Sequence, residues 1–189
     1  MGILVRRFKR DGKIYQKYTK VTGIKKKHYL GGHTEGDVHL VDLELEKRGR
    51  KKTVEMVEKR FTKSIIHVGK NYHDPVAHFR TANELIELNR EKNLGLRLPS
   101  SVRIIDKGEG KFSLIMPKIS NLVDAVDMPP KQKKEFEEDM YRQMEILDRE
   151  GYLWHYDWFA PKFDRATKKF VAVIVDFGSV VKSHSSPRS

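Results

Sequence analysis

The chain contains no cysteine. That excludes a disulfide framework, a Cys-zinc site and a cysteine nucleophile, and it fits a reducing compartment. Long apolar runs are missing too: none approaches the roughly 18 residues that a membrane-spanning helix needs. The start, Met1-Gly2-Ile3-Leu4-Val5-Arg6, soon turns basic and lacks the charged-then-apolar order of a secretory leader. No Ser or Thr follows Gly2 at the position that myristoylation requires. These absences together predict a soluble, cytoplasmic protein. Acid is scarce at the front: residues 1–30 hold ten Lys/Arg against one acid, Asp11, which is +9 of the net +12 and leaves +3 for the rest. Such a basic arm attracts polyanions through counterion release. A solvated, solubilising face is the plainer explanation of the same charge.

What is present suits one domain, or two small lobes sharing a cleft. The chain has 189 residues, of which 38% are hydrophobic and 34% charged. Residues 3–9 and 13–19 alternate around Arg10-Asp11-Gly12-Lys13, where Asp-Gly tolerates the positive φ of a tight turn. They predict a small β-hairpin appended to the main body. Residues 37–46 alternate with period two and read as a half-buried strand. A charged turn at 47–51 leads to a further strand at 52–61. Asp74 and Pro75 are a helix start, and Val76, Phe79, Ala82, Leu85, Ile86 and Leu88 carry helical spacing to about Asn93. Strands are expected at 102–106 and 112–116. Pro117 to Pro130 reads as a connector and hinge. Phe136, Met140, Met144 and Leu147 then mark a helix over 131–150, ended by Gly151. An irregular 162–169 segment precedes a buried strand at 170–175. Residues 183–189 read as a frayed polar tail. Eight histidines are scattered, and His67, His73 and His78 lack helical metal spacing.

Two short constellations carry the chemistry. Trp154-His155-Tyr156-Asp157 is followed nineteen residues after its Asp by Asp176, which opens Asp176-Phe177-Gly178 at the end of an apolar run. Upstream stand a Gly-rich turn, Gly31-Gly32 to Gly36, and Val57-Glu58-Lys59. Together with the element order, these motifs resemble the protein-kinase-like superfamily from about Tyr29 to Val180. The small atypical type is the nearer match, whether of the Rio and Bud32 kind or the sugar and aminoglycoside kinase kind, with a shortened C-lobe.

The resemblance implies an α+β, two-lobed fold. An arm at 1–27 would precede an antiparallel β N-lobe with one helix (28–117) and a reduced helical C-lobe (118–182). It implies an ATP- and Mg²⁺-dependent phosphotransferase acting on a hydroxyl of a protein or small molecule. Gly31, Gly32 and Gly36 would cover the phosphates, although Gly-Gly also serves as plain turn chemistry. Lys59 would pair with the α/β-phosphates, and Glu84 (or its neighbour Glu87) would hold Lys59. Met116 would border the nucleotide cleft around 117–121. Asp157 would be the base, with His155 bracing its loop, and Asp176 would hold Mg²⁺. Lys162 stands where the family keeps a metal-binding Asn, which makes Asp164 the substitute ligand. Only eleven residues follow Gly178, too few for an activation segment and the closing helices. The alternatives are a nucleotide-binding pseudokinase or scaffold, and a basic RNA- or ribosome-associated module using the 1–30 arm and the 47–63 cluster.

Overall fold

Strand β1 (Gly2–Arg10) pairs antiparallel with β2 (Lys13–His33), Arg10 lying opposite Lys13. A computed structural model describes residues 2–10, 13–33, 36–61, 74–109, 111–125, 128–153, 158–178 and 181–182. Strand β2 runs for 21 residues, far beyond the usual five or six. Its register against β3 (Gly36–Lys47) shifts at Val21/Gly23, Lys26/His28 and Tyr29/Gly31. Such bulges bend and coil a long strand. Strand β4 (Arg50–Phe61) follows a two-residue turn, Arg48-Gly49, with φ of 52° and 73°. Positive φ at both positions gives the turn the twist that flanking strands need.

Two further strands complete the first unit. Strand β5 (Arg103–Asp106) pairs with β6 (Phe112–Met116), and β6 pairs with β4. The other edge of β5 pairs with β1, Ile3 opposite Asp106. The order β1-β2-β3-β4-β6-β5 therefore closes into a barrel. Its interior is packed by Leu4, Val21, Val41, Leu43, Met56, Ile105 and Ile115. These are alternate residues of their strands, as a half-buried sheet requires. Each such side chain contributes roughly 1.5–3 kcal/mol on burial.

Helix α1 (Pro75–Lys92) begins where expected. The Asp74 carboxylate accepts the Val76 N–H at 2.8 Å, an N-cap that satisfies an otherwise orphan donor. Phe79, Ala82, Leu85 and Ile86 form its buried stripe. Asn83 of α1 donates to the Val102 carbonyl at 3.3 Å, tying the helix to the chain just before β5.

The chain divides into two compact units, Met1–Glu87 with Ser100–Lys118, and Leu88–Pro99 with Ile119–Ser189. In the second, helix α2 (Pro130–Arg149) packs on a hairpin of β8 (Phe159–Asp164) and β9 (Lys169–Ile174). A short pair, β7 (Tyr152–Leu153) with β10 (Val181–Lys182), completes the described strands. Residues 162–164 belong to β8, and 165–168 form a turn closed by Lys168 at φ 58°. The expectation of an irregular 162–169 segment is corrected accordingly.

The two-lobed kinase-like expectation is overturned, and with it the resemblance to that superfamily. The observed architecture is a closed six-stranded antiparallel barrel with only two α-helices among the described residues. The physical reason lies at the N-terminus. Residues 2–10 are a stave that closes the barrel by pairing on both edges, with β2 and with β5. A reading that sets 1–27 apart as an arm leaves that sheet open. Among the described residues no helix is long and apolar enough to cross a membrane.

Candidate functional site

Strand β4 sends alternate side chains to opposite faces, and its charged run Glu58-Lys59-Arg60 divides between them. Glu58 follows Met56 on the interior face and is fully buried. Its carboxylate accepts from Lys107 at 2.8 Å and from Arg60 Nε at 2.7 Å. Lys107 also donates to Ser113 Oγ at 2.6 Å. Burial pushes the Glu58 carboxyl up, but the hydrogen bonds and charges of Lys107 and Arg60 outweigh it and hold it below the ordinary carboxylate range. The barrel thus encloses an ion-paired acid that the motif reading passed over. The signal was present: period two from Val54 and Met56 puts Glu58 inside.

Lys59 lies on the opposite face of β4, between Val38 and Leu114 in the ladder, and is 8% exposed. Its ammonium is 5.5 Å from the Phe61 ring centre, and Phe61 meets His78 of α1 edge-on at 5.2 Å. A lysine covered to this degree is uncommon. Glu84 is exposed on α1 and Glu87 is half-buried. Met116 is buried at the end of β6, opposite Val57.

Of the three turn glycines, Gly31 adopts φ 143° with open space where a Cβ would stand. Gly32 pairs with Asp37 across the β2–β3 ladder. At Gly36 a Cβ would run into the Arg60 carbonyl of β4. The glycine there lets two strands approach, a packing requirement in its own right.

In the second unit, Asp176 follows β9. Its own N–H and that of Val175 donate to the Trp158 carbonyl at 3.3 and 2.7 Å. Its Oδ1 accepts the Gly178 N–H at 3.1 Å, an Asx turn. Phe177 is buried and anchors the turn. Asp164 caps the β8–β9 turn: Oδ2 accepts from the Thr167 hydroxyl at 2.8 Å and Oδ1 from the Ala166 N–H at 3.1 Å. These bonds, Thr167 foremost, hold its carboxyl below the usual range. Lys162 sits in β8 opposite Val171 and bridges to Leu122. Trp154, His155, Tyr156 and Asp157 lie outside the described residues. Among the described residues, no group of three or more His, Asp or Glu side chains has metal-holding geometry.

Two polar anchors of this unit were not legible as a motif. Gln143 of α2, fully buried, donates to the Ala172 carbonyl at 2.6 Å and accepts the Arg97 N–H at 2.8 Å. Asp139, one helical turn earlier, takes Arg97 Nη1 on both oxygens at 2.7 Å, Arg142 at 2.9 Å and the Ala172 N–H at 2.8 Å.

His39 of β3 is buried opposite Glu58, meets Tyr29 edge-on at 5.4 Å, and its Nε2 has no hydrogen-bond partner among the described residues. Burial, then Lys26 and Arg60, hold its pKa below the ordinary value near 6.5. The unfolded chain therefore binds this proton at a higher pH than the folded chain does. His39's contribution is complete above about pH 6.5 and is lost as pH falls from there through the folded value. Thermal midpoints measured from pH 8 to 5 should fall, and His39→Phe should flatten that slope.

No protein-family model matches the sequence, and no curated protein matches it either.

Proposed function

We infer that the chain is a phosphotransferase using ATP with Mg²⁺, passing the γ-phosphoryl group to a hydroxyl of a protein or small molecule. The reading stands on side-chain chemistry and borrows no family fold. The observation that carries it is Asp176, a carboxylate fixed at a strand end by its own turn and by the buried Phe177. Strand ends are where a sheet can present an acid to a ligand without spending its ladder hydrogen bonds. Carboxylate oxygen is the donor type that a hard divalent cation takes, and Mg²⁺ held there would neutralise charge on the β- and γ-phosphates. Asp157 is assigned the acceptor. It orients the hydroxyl and takes its proton as the oxygen bonds to the γ-phosphorus. The bond to the β–γ bridging oxygen breaks, and ADP leaves with that electron pair. A cysteine-free chain working on ATP belongs, on this reading, in the cytoplasm.

Thermal denaturation with and without ATP and Mg²⁺ tests the proposal. A ligand at a hundred times its Kd stabilises the native state by about 2.7 kcal/mol. Wild type should shift upward with both present, and Asp176→Ala should lose the shift. Asp157→Ala should keep it and lose transfer of labelled phosphate. A wild-type protein that ATP and Mg²⁺ leave unshifted would sink the reading. A shift without transfer to any acceptor, in a broad screen, would make the chain a nucleotide-binding scaffold.

A further inference from the structure

One end of the barrel ends in cations on strand after strand. The interior rows run Leu4 then Arg6 on β1, Leu43, Leu45 then Lys47 on β3, Met56, Val54 then Lys52 on β4, and Ile105 then Arg103 on β5. On β2 the row runs Val21, Thr19, then Lys17. The registers bring these five cations level at one rim, past which the β1–β2 hairpin runs on to Arg10 and Lys13. Arg6 lies opposite Lys17, Leu45 opposite Lys52, and Val5 opposite Ile104, one step before Arg6 and Arg103 come level. Five of the six strands thus bring a Lys or Arg to one mouth. Arg6, Lys17, Lys47 and Lys52 are exposed. Arg103 is half-buried, and its Nε is buried with no hydrogen-bond partner among the described residues.

Among the described residues none of the five cations stands in an ion pair. The nearby Glu46 faces the other side of β3 and takes Lys20 at 3.3 Å. The crowding is felt by the groups themselves. Lys17 is held below the ordinary lysine range by Lys47 first, then by burial, Arg6 and Arg48. Burial, then Arg6, lower Arg103. A ring of like charge destabilises the fold that carries it, and an anion seated at the rim relieves it. Beside the ring, Tyr18 on the outer face of β2 is 62% exposed. Cations gathered at a rim with an exposed aromatic ring beside them are the parts that take single-stranded nucleic acid, phosphates on the cations and a base on the ring.

We propose that this mouth of the barrel binds a single-stranded nucleic acid through its phosphodiester backbone. The test is fluorescence anisotropy of a labelled oligouridylate titrated with the full chain over a range of salt. Binding should weaken steeply with salt. The triple variant Arg6→Ala, Lys17→Ala and Lys47→Ala, all at exposed positions, should bind at least about tenfold more weakly, with a salt slope shallower by about 2. Circular dichroism of that variant checks that the barrel persists, and its response to ATP and Mg²⁺ should match wild type. Tyr18→Ala should weaken binding by about tenfold. Arg103→Met should bind less while melting higher, since it removes a half-buried charge. A triple variant that binds as wild type does would overturn the proposal. Equal or tighter binding of inorganic polyphosphate, or of vesicles rich in phosphatidylserine, would overturn the choice of nucleic acid.

Discussion

Glu58→Ala is expected to cost about 3 kcal/mol and to unfold the barrel at markedly lower temperature or urea. Removing one member of a buried, hydrogen-bonded charge cluster leaves its partners without compensation, at a typical cost of 3–5 kcal/mol. The lower end applies because Lys107 and Arg60 keep 28% and 29% of their side chains exposed and can partly rehydrate. Two controls separate charge from packing. Glu58→Gln keeps the shape and loses the ionic part, so its loss should be smaller. Glu58→Leu combined with Lys107→Met should recover much of the stability, since apolar replacement of a buried pair is often close to neutral. Urea denaturation of the three variants decides the matter. If Glu58→Ala melted with wild type, the interior ion pairs would have no structural role. The acid's pKa is depressed by folding, so its contribution is present above the unfolded value near 4.3 and is lost as pH falls through the folded one.

Asp139→Ala should have an effect of similar size in the second unit, about 3 kcal/mol. This carboxylate is shared by Arg97, Arg142, Gln143 and the Ala172 N–H, so it joins α2 to β9 and to the segment after α1. Burial pushes its carboxyl up, and the Ala172, Arg142 and Arg97 contacts outweigh that and hold it below the usual range. Its stability is likewise present above about pH 3.9 and lost below. Asp139→Asn, which retains one acceptor oxygen, should fall between wild type and alanine. Hydrogen exchange should place the loss in α2 and β8–β9 and leave the barrel strands protected, because no barrel strand touches this carboxylate among its described contacts. Uniform loss of protection across both units would overturn that assignment.

The local elements were legible in the sequence because each has a local cause. Asp74 and Pro75 start α1 by satisfying and tolerating unpaired amides, and Phe136, Met140, Met144 and Leu147 bury one stripe of α2. The alternation over 37–46 marks β3 for the same reason. The candidate site was less legible. The short pattern Val57-Glu58-Lys59 points to Lys59, while period two places its neighbour Glu58 inside the barrel. Gly36 and Asp176 both stand in short motifs, and each also answers to a local demand, close strand approach at one and an Asx turn at the other. Short motifs made of turn formers recur wherever chains turn, which is why their order suggested a fold that the strands do not adopt.

By itself the sequence determined the two helices, the strands at 37–46, 52–61, 102–106, 112–116 and 170–175 to within a residue or two, and the uneven charge, since propensity, period and capping act over a few residues; the length of β2 and strand β8 were not legible in it. Only the tertiary structure decided that β1 closes onto β5, that Glu58 is neutralised by Lys107 from another strand connection, and that Arg6, Lys17, Lys47, Lys52 and Arg103 share one rim. Alternation states which face a side chain takes and leaves open which strand lies beside it. That choice belongs to long-range pairing, where hydrophobic burial across the whole barrel outweighs any preference readable within one stretch of chain.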